Sequence, residues 1–339
     1  MAFDFKRVVD LPKMPLWLGK LLNYEYWPIG LFYIPIGIYI FCLALKARSL
    51  TFFTNVNPFI KDSGIYRYSK FGVLQFISDA FKPKGILKKN DDKLDAIEEV
   101  FTFPVIAKPD MGERGKGVAL ISDMSALQKY AYNIHQDFII QEYCDWPNEA
   151  AIFYIRKPSE AKGRITSFTT KEFLTVTGDG QRTIGQLMSY TFRAKLQIYR
   201  QTPEFLNTIP RLDEVVKIEA IGNHNRGTRF INANHLISED LTEVFDQIST
   251  SIPGFYYGRY DLKFKDLKDL EIGKNFKIVE LNGINSEPVH IYDQTTGLWN
   301  AYRDFFKHIR YMYQISQENY KLGFKRSDAW TFWSAVFCT

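Results

Sequence analysis

The chain has 339 residues, with 43 Lys and Arg against 38 Asp and Glu, and its net charge of +5 is spread along its length. So small an excess, with no basic run or basic-aromatic motif, excludes a dedicated nucleic-acid binder, and 46% hydrophobic residues with 28 Phe and 20 Tyr exclude a disordered chain. Cys42, Cys144 and Cys338 lie far apart without a CxxC pair, which excludes a disulfide framework and a cysteine zinc site.

Between Glu25 and Lys46 runs YWPIGLFYIPIGIYIFCLAL, a stretch without a charge. At ~1.5 Å per residue it just reaches across a ~30 Å hydrocarbon layer as a helix. Pro28 and Pro35 would kink that helix, and Tyr26, Trp27 and Tyr33 suit a membrane interface, so a re-entrant hairpin competes with a full span. Lys6, Arg7, Lys13 and Lys20 precede the stretch and Lys46 and Arg48 follow it, which suits two cytoplasmic ends. A cleaved signal peptide is not expected, because the stretch starts late and no small-residue cleavage site follows closely. The plain alternative is a buried core helix or a partner-binding segment; the lack of a polar face favours the membrane. The expectation is a cytoplasmic active site, membrane-associated through residues 26–45, with membrane lipid as a partner.

From Leu50 the pattern turns soluble and mixed. LTFFT (50–54) reads as a short strand and SKFGVLQFISDAF as a helix with Ser69 as its N-cap. FPVIAKP (103–109) and GVALIS (117–122) read as strands, and the Gly-rich DMGERGKG between them as a flap-like hairpin rather than a strand-to-helix phosphate loop. SALQKYAYNIH reads as a helix, DFIIQEY (137–143) as a strand, and AAIFYIR, RITSFTT and EFLTVT as three more. GDG at 178–180 marks a turn, and Thr183 with Gln186 has the spacing of a capping box opening the helix IGQLMSYTFRAKLQIY. VVKIEAI, YYGRYDLKF and FKIVELN read as strands, with a helix after Ser238 and a final helix from about Thr295. The aromatic SDAWTFWSAVFCT is expected to dock on the N-terminal segment, the membrane surface or the last helix. This interleaving indicates an α+β chain in two lobes.

In GRYDLKF (258–264) alternate residues share a face, so Arg259, Asp261 and Lys263 point one way and Tyr260, Leu262 and Phe264 the other. In FKIVELNG (276–283), Glu280 and Asn282 share a face opposite Val279 and Leu281. As neighbouring strands they present Asp261, Glu280 and Asn282 together, an all-oxygen set suited to Mg²⁺ and not to zinc. Arg259 is then placed to neutralise a phosphate. Taken alone, pairing of these acids with Arg259, Lys263 and Lys277 on a solvated face is the plainer reading. Other residues shift the balance. Lys108 ends a buried strand just before the flap, whose amides can lie over phosphates; Lys171 sits in a strand-rich run; Glu142 ends FIIQEY, and Glu149 follows it.

The loop GNHNRGTRF (222–230) gathers His224, Arg226 and Arg229, a candidate clamp for an anionic substrate whose plain alternative is a solvated loop. NSEPVHIYD (285–293) is a second candidate substrate lining, in which Glu287, His290 and Asp293 are alternatively routine loop caps. The sequence offers no defensible Ser-His-Asp or Cys-His arrangement.

The ordered set FPVIAKPD with its flap, QEY with Glu149, Lys171, GRYD and VELNG resembles the ATP-grasp superfamily, most closely its D-alanine–D-alanine ligase-like, carboxylate–amine ligase branch, over about residues 101–315. The resemblance implies an α+β ATP-grasp fold, two lobes gripping ATP, with a hydrophobic helical segment at the N-terminus. It implies that Lys108 and Lys171 hold the α- and β-phosphates, under a flap containing Gly112, Gly115 and Gly117. Glu142, Tyr143 and Cys144 would form the adenine hinge and Glu149 would bind the ribose. Arg259 would meet the γ-phosphate or acyl-phosphate, making it and Lys171 the catalytic cations. Asp261, Glu280 and Asn282 would ligate one or two Mg²⁺ ions, or Mn²⁺ in their place. Lys70 resembles that branch's earlier phosphate-contacting lysine, and His224, Arg226, Arg229 and Glu287 are the candidate substrate contacts.

Two departures matter. The Rossmann-like domain that such proteins usually carry first is replaced by residues 49–100, so part of the substrate wall is missing or rebuilt from the N-terminal segment. VTGDGQRTIGQLM resembles the VxGDGxxTIxEL segment of cyanophycin-synthetase-like ligases, which points away from a true D-alanine ligase. The expected division is a hydrophobic segment 1–48, a shortened region 49–100, an ATP-grasp domain 101–315 and an aromatic tail 316–339. The expected activity is Mg-ATP-dependent ligation of a small-molecule carboxylate to an amine, or a peptide-like equivalent, through an acyl-phosphate. A small-molecule kinase and a membrane-tethered, non-catalytic ATP-binding module are the alternatives.

Overall fold

The computed structural model describes residues 15–90, 92–112, 115–219, 222 and 227–338. Its strands are β1 (Gly85–Lys88), β2 (Val105–Pro109), β3 (Ala119–Ile121), β4 (Phe138–Glu142), β5 (Asn148–Ile155), β6 (Arg164–Glu172), β7 (Thr175–Thr177), β8 (Val215–Lys217), β9 (Arg229–Asn232), β10 (Tyr257–Phe264) and β11 (Phe276–Asn282). They form a four-stranded sheet in the order β1-β4-β2-β3, a five-stranded sheet in the order β11-β10-β5-β6-β9, and the pair β7-β8. All pairings are antiparallel. The helices used below are α1 (Leu16–Leu22), α2 (Ile29–Ala47), α3 (Lys70–Leu74), α4 (Met124–Ile134), α5 (Glu239–Ser251), α6 (Leu298–Lys321) and α7 (Ala329–Phe337).

The larger sheet is apolar on one face through alternation along its strands. Tyr260, Leu262 and Phe264 of β10 join Ile152 and Tyr154 of β5 and Phe168 of β6 in a core closed by Leu241, Phe245 and Ile248 of α5. That helix starts where the Ser238 hydroxyl accepts the Leu241 amide at 3.1 Å, with Glu239 and Asp240 in its first turn. On the opposite face, Phe153, Ile155 and Tyr257 pack beneath Phe305, Ile309 and Met312 of α6 and Phe32, Ile36 and Leu43 of α2. Only part of that face is covered in this way; the remainder looks toward the smaller sheet. There Val105, Ala107, Phe138 and Ile140 pack on Leu127 of α4, which Asp123 caps through the Ala126 amide at 2.9 Å.

The strand read at 50–54 is instead a 3-10 turn, Phe52–Asn55, whose four residues are all buried. Burial on every side rather than alternate sides explains the difference: Asn55 Oδ1 accepts the Ser316 hydroxyl at 2.8 Å, and the α7 ring of Phe332 stacks edge-on to Phe53 at 5.6 Å. The aromatic tail therefore docks on the segment that follows α2, where Thr51 Oγ1 donates to the Ser327 carbonyl at 2.7 Å. The capping box of Thr183 and Gln186 is present, but the helix it opens stops at Met188. The Ser189 hydroxyl donates back to the Gln186 carbonyl at 2.6 Å, and the chain restarts as the short helix Phe192–Lys195. The short strands β1 and β9 carry no sequence signal read above.

The N-terminal segment is fixed by a buried ion pair. Glu25 receives Arg193 Nη2 on both carboxylate oxygens, at 2.6 and 2.7 Å. Arg193 also lies over the Tyr26 ring, and Gly19 sits so close to Phe192 that any added Cβ would fall 2.3 Å from the ring. Removing one partner of a buried pair leaves the other charge uncompensated. Glu25→Ala is therefore expected to lower the unfolding free energy by roughly 3–5 kcal/mol in urea denaturation; a loss below about 1 kcal/mol would show that the pair does not hold the segment.

Candidate active site

In the larger sheet Asp261 lies opposite Glu280 and Arg259 opposite Asn282, but Leu262 pairs with Ile278. Val279 is thus an extra residue, a β-bulge that resets the alternation of β11. Phe276 and Ile278 enter the core, whereas Glu280 and Asn282 face the other way. A strict period of two would put Ile278 and Glu280 on the same face. The carbonyl of the bulged Val279 accepts Lys108 Nζ from the smaller sheet at 3.0 Å, so one irregularity both turns the acids and ties the two sheets.

Asp261 is the hub. Its Oδ2 accepts Arg259 Nη2 at 2.9 Å and Asn282 Nδ2 at 3.0 Å, and its Oδ1 lies 3.3 Å from Lys171 Nζ. Glu280 pairs with Lys70, which the short helix α3 presents from its Ser69 cap. Lys108 Nζ also bonds Gln141 Oε1 at 3.0 Å. Glu149 sits between Lys171 at 3.7 Å and Lys263 at 3.5 Å, as the register Glu149↔Lys171 and Lys263↔Glu149 requires.

Burial pushes both acids up, but Arg259 and Lys171 hold Asp261, and Lys70 and Lys108 hold Glu280, below the usual carboxylate range. Burial likewise works against the charge on Lys171, and Asp261 with Glu149 more than restores it. Lys108 bonds neutral oxygens, and burial lowers it to about 8 despite Glu280 nearby.

These groups line one cavity of about 930 Å³. It brings together Lys70, Lys108, Glu142, Tyr143, Cys144, Glu149, Lys171, Arg259, Asp261, Glu280, Asn282 and Glu287, with Gly112 and Gly115 of the flap. Glu142 accepts the Lys84 amide at 3.1 Å, the Tyr143 ring lies under Lys263, and burial raises the Cys144 thiol to about 11. Gly117 is not in the lining; its φ of +72° and the 2.8 Å between an added Cβ and Pro109 Cγ make it a backbone requirement. Arg229 is also outside, paired with Glu172 across β6 and β9 at 3.1 Å. His224 and Arg226 lie outside the described residues. His290 is buried between Ser167 at 2.8 Å and Asp304 at 3.2 Å, away from the lining.

Sequence reasoning missed four contributors: Gln141, Lys263, Tyr68, whose hydroxyl donates to Asn282 Oδ1 at 3.3 Å, and Tyr292. Lys263 was legible as a face-mate of Asp261, and Gln141 stood inside the quoted QEY. Tyr24, Tyr26, Trp27 and Tyr33 of the N-terminal segment form a further wall.

Among the described residues no three His, Cys, Asp or Glu side chains form a metal cluster. Two carboxylates stand opposed instead, with Asn282 beside them, its Nδ2 on Asp261 and its Oδ1 on Tyr68; the carboxylate oxygens fit Mg²⁺, which takes few protein ligands and completes its shell with water and phosphate.

Residues 78–160 match the family profile described as the RimK-like ATP-grasp domain. Over those residues the chain resembles the ATP-grasp superfamily, and its sheets and helices form an α+β fold. Members of that superfamily are typically ATP-dependent carboxylate–amine ligases and bind ATP with Mg²⁺. No curated protein matches the sequence. Solved structures similar to the chain include a bifunctional glutathione synthetase from Pasteurella multocida (16% identity, TM-score 0.35, 73% of this chain and 38% of that one). Others are a D-alanine–D-alanine ligase from Bacillus anthracis (12%, 0.41, 73% and 68%) and the VanG D-Ala:D-Ser ligase from Enterococcus faecalis (13%, 0.42, 75% and 61%). The chain spans well under two thirds of the length of the first of these, and likenesses this distant add nothing about its chemistry.

Burial raises the Glu287 carboxyl from 4.5 to about 7, although the Tyr292 hydroxyl donates to it. The folded chain then keeps a proton that the unfolded chain loses, so stability falls as pH climbs from 4.5 to about 7. In Glu287→Gln this component, on the order of 2 kcal/mol, is expected to vanish from the Tm-against-pH profile. An unchanged profile would place that carboxyl in water.

Proposed function

We propose that the protein is a Mg²⁺-ATP-dependent ligase that joins a carboxylate to an amine through an acyl-phosphate. The observation that carries this reading is the convergence of Lys108 from one sheet, Lys70 from α3 and Lys171 and Arg259 from the other sheet around the opposed pair Asp261 and Glu280.

The triphosphate would take the lysines as partners, Lys108 and Lys171 on the α- and β-phosphates and Lys70 beside them, with the flap at Gly112 and Gly115 above. The main chain at Glu142 to Cys144 would meet the adenine edge, and Glu149 the ribose hydroxyls. Asp261, Glu280 and Asn282 would hold Mg²⁺, which when bound neutralises phosphate oxygens. Arg259 lies next to Asp261 and would steady the transferred phosphoryl group. A substrate carboxylate attacks the γ-phosphorus and ADP leaves; an amine then attacks the acyl carbon, phosphate leaves, and the amine gives up a proton. Glu287, which lines the cavity and whose backbone carbonyl accepts Arg259 Nη1 at 3.4 Å, would receive it. The chemistry is positioning and charge neutralisation, and it requires no nucleophilic side chain.

Incubation with ATP, Mg²⁺ and pools of amino acids and other small carboxylates is expected to give substrate-stimulated phosphate release and a condensed product without phosphate by mass spectrometry. A phosphorylated product would identify a kinase, and a folded protein with no stimulation would count against both. Asp261→Asn is expected to cut release at least ~100-fold with the fold intact by circular dichroism. Lys108→Ala is expected to weaken ATP binding by roughly 10–100-fold in calorimetry; binding equal to wild type would remove the nucleotide from this cavity.

A further inference from the structure

Helix α2 is apolar on two sides. Phe32, Ile36, Leu43 and Ala44 pack on α6, whereas Leu31, Ile34, Ile38, Phe41 and Leu45 are 52–61% exposed. Their spacing of three and four residues makes one straight stripe along the helix. Trp17, Leu21 and Leu22 of α1, 58–67% exposed, add to the apolar surface of the same segment. The charges of this segment are one-sided. Over residues 15–50 the exposed ones are Lys20 on the cavity side, Lys46 over the Tyr313 ring and Arg48 at the end of α2, all basic, while the single acid, Glu25, is buried against Arg193.

We propose that this face lies flat on an anionic lipid bilayer, with α2 in the plane of the membrane and Lys46 and Arg48 at its carboxyl end within reach of the lipid phosphates. By length and composition Gly30–Ala47 is able to cross a membrane. Crossing, however, would strip Phe32, Ile36 and Leu43 from α6, and the Glu25–Arg193 pair holds the preceding residues down. An in-plane helix keeps those contacts and still removes the outer stripe from water. A second copy of the chain fits less well, because the exposed charges of this segment are all basic and it offers no exposed acid to Lys46 or Arg48 of another copy. The inner side of the same segment, at Leu16, Tyr24 and Tyr33, walls the reaction cavity, so docking sets that cavity one helix away from the lipid surface. The inference goes beyond the ligase reading and stands or falls without it.

The test is flotation of the full chain with vesicles of phosphatidylcholine containing about 30% phosphatidylglycerol, set against pure phosphatidylcholine, for wild type and the outer-face variant Ile38→Glu/Phe41→Glu. Wild type is expected to float with the anionic vesicles, to detach in alkaline carbonate, and to have its tryptophan fluorescence quenched by brominated lipid. The variant is expected to lose at least roughly tenfold in partitioning while binding Mg-ATP as wild type does. Failure of wild type to float, or equal flotation of the variant, overturns the proposal. Resistance to carbonate overturns the in-plane geometry in favour of a span. A dimer in sedimentation velocity that the variant makes monomeric assigns the stripe to a second copy.

Discussion

Two carboxylates placed opposite each other on neighbouring strands repel. At an effective dielectric near 20 such a pair at ~4 Å costs about 4 kcal/mol, and Asp261 and Glu280 occupy directly opposed positions in β10 and β11. Much of the surrounding architecture supplies positive charge to that spot. Arg259 comes from the same strand, Lys171 from β6, Lys70 from a capped turn of helix and Lys108 from the other sheet. On the reading proposed here, a triphosphate takes over the lysines and a divalent cation takes over the carboxylates. Each charge then keeps a partner.

The bulge at Val279 makes this arrangement compatible with a folded core. The amino-terminal part of β11 must bury Phe276 and Ile278 in the core, and its carboxyl-terminal part must turn Glu280 and Asn282 to the cavity on the opposite face. An extra residue reverses the phase between the two, and its carbonyl then takes Lys108. The stability of the larger sheet and the placement of the site thus rest on the same local irregularity.

Much of this was legible in the sequence where a single local rule governs. Alternation placed Arg259, Asp261 and Lys263 opposite Tyr260, Leu262 and Phe264, and side-chain caps marked Ser69, Thr183 and Ser238. What escaped was decided by tertiary contacts. Phe52 and Phe53 look like strand residues but are buried on all sides by α6 and α7. The run after Thr183 has helical periodicity throughout, yet the helix ends at Met188, where Ser189 bonds back to Gln186. Nothing about Val279 signals a bulge, and Arg229, read as a substrate clamp, lies across the sheet from Glu172. The N-terminal stretch shows the same limit: the sequence announced its length and left open that it rebuilds a missing wall, while packing identifies Tyr24 and Tyr33 as residues that line the cavity.

The most direct test is to locate a cation. Crystals grown with Mn²⁺ and a non-hydrolysable ATP analogue should show an anomalous peak within ligand distance of Asp261 and Glu280, with Lys108 and Lys171 on the phosphates. Nucleotide bound in another cavity, or Lys70 and Arg259 still holding both carboxylates with no peak between them, would contradict the account.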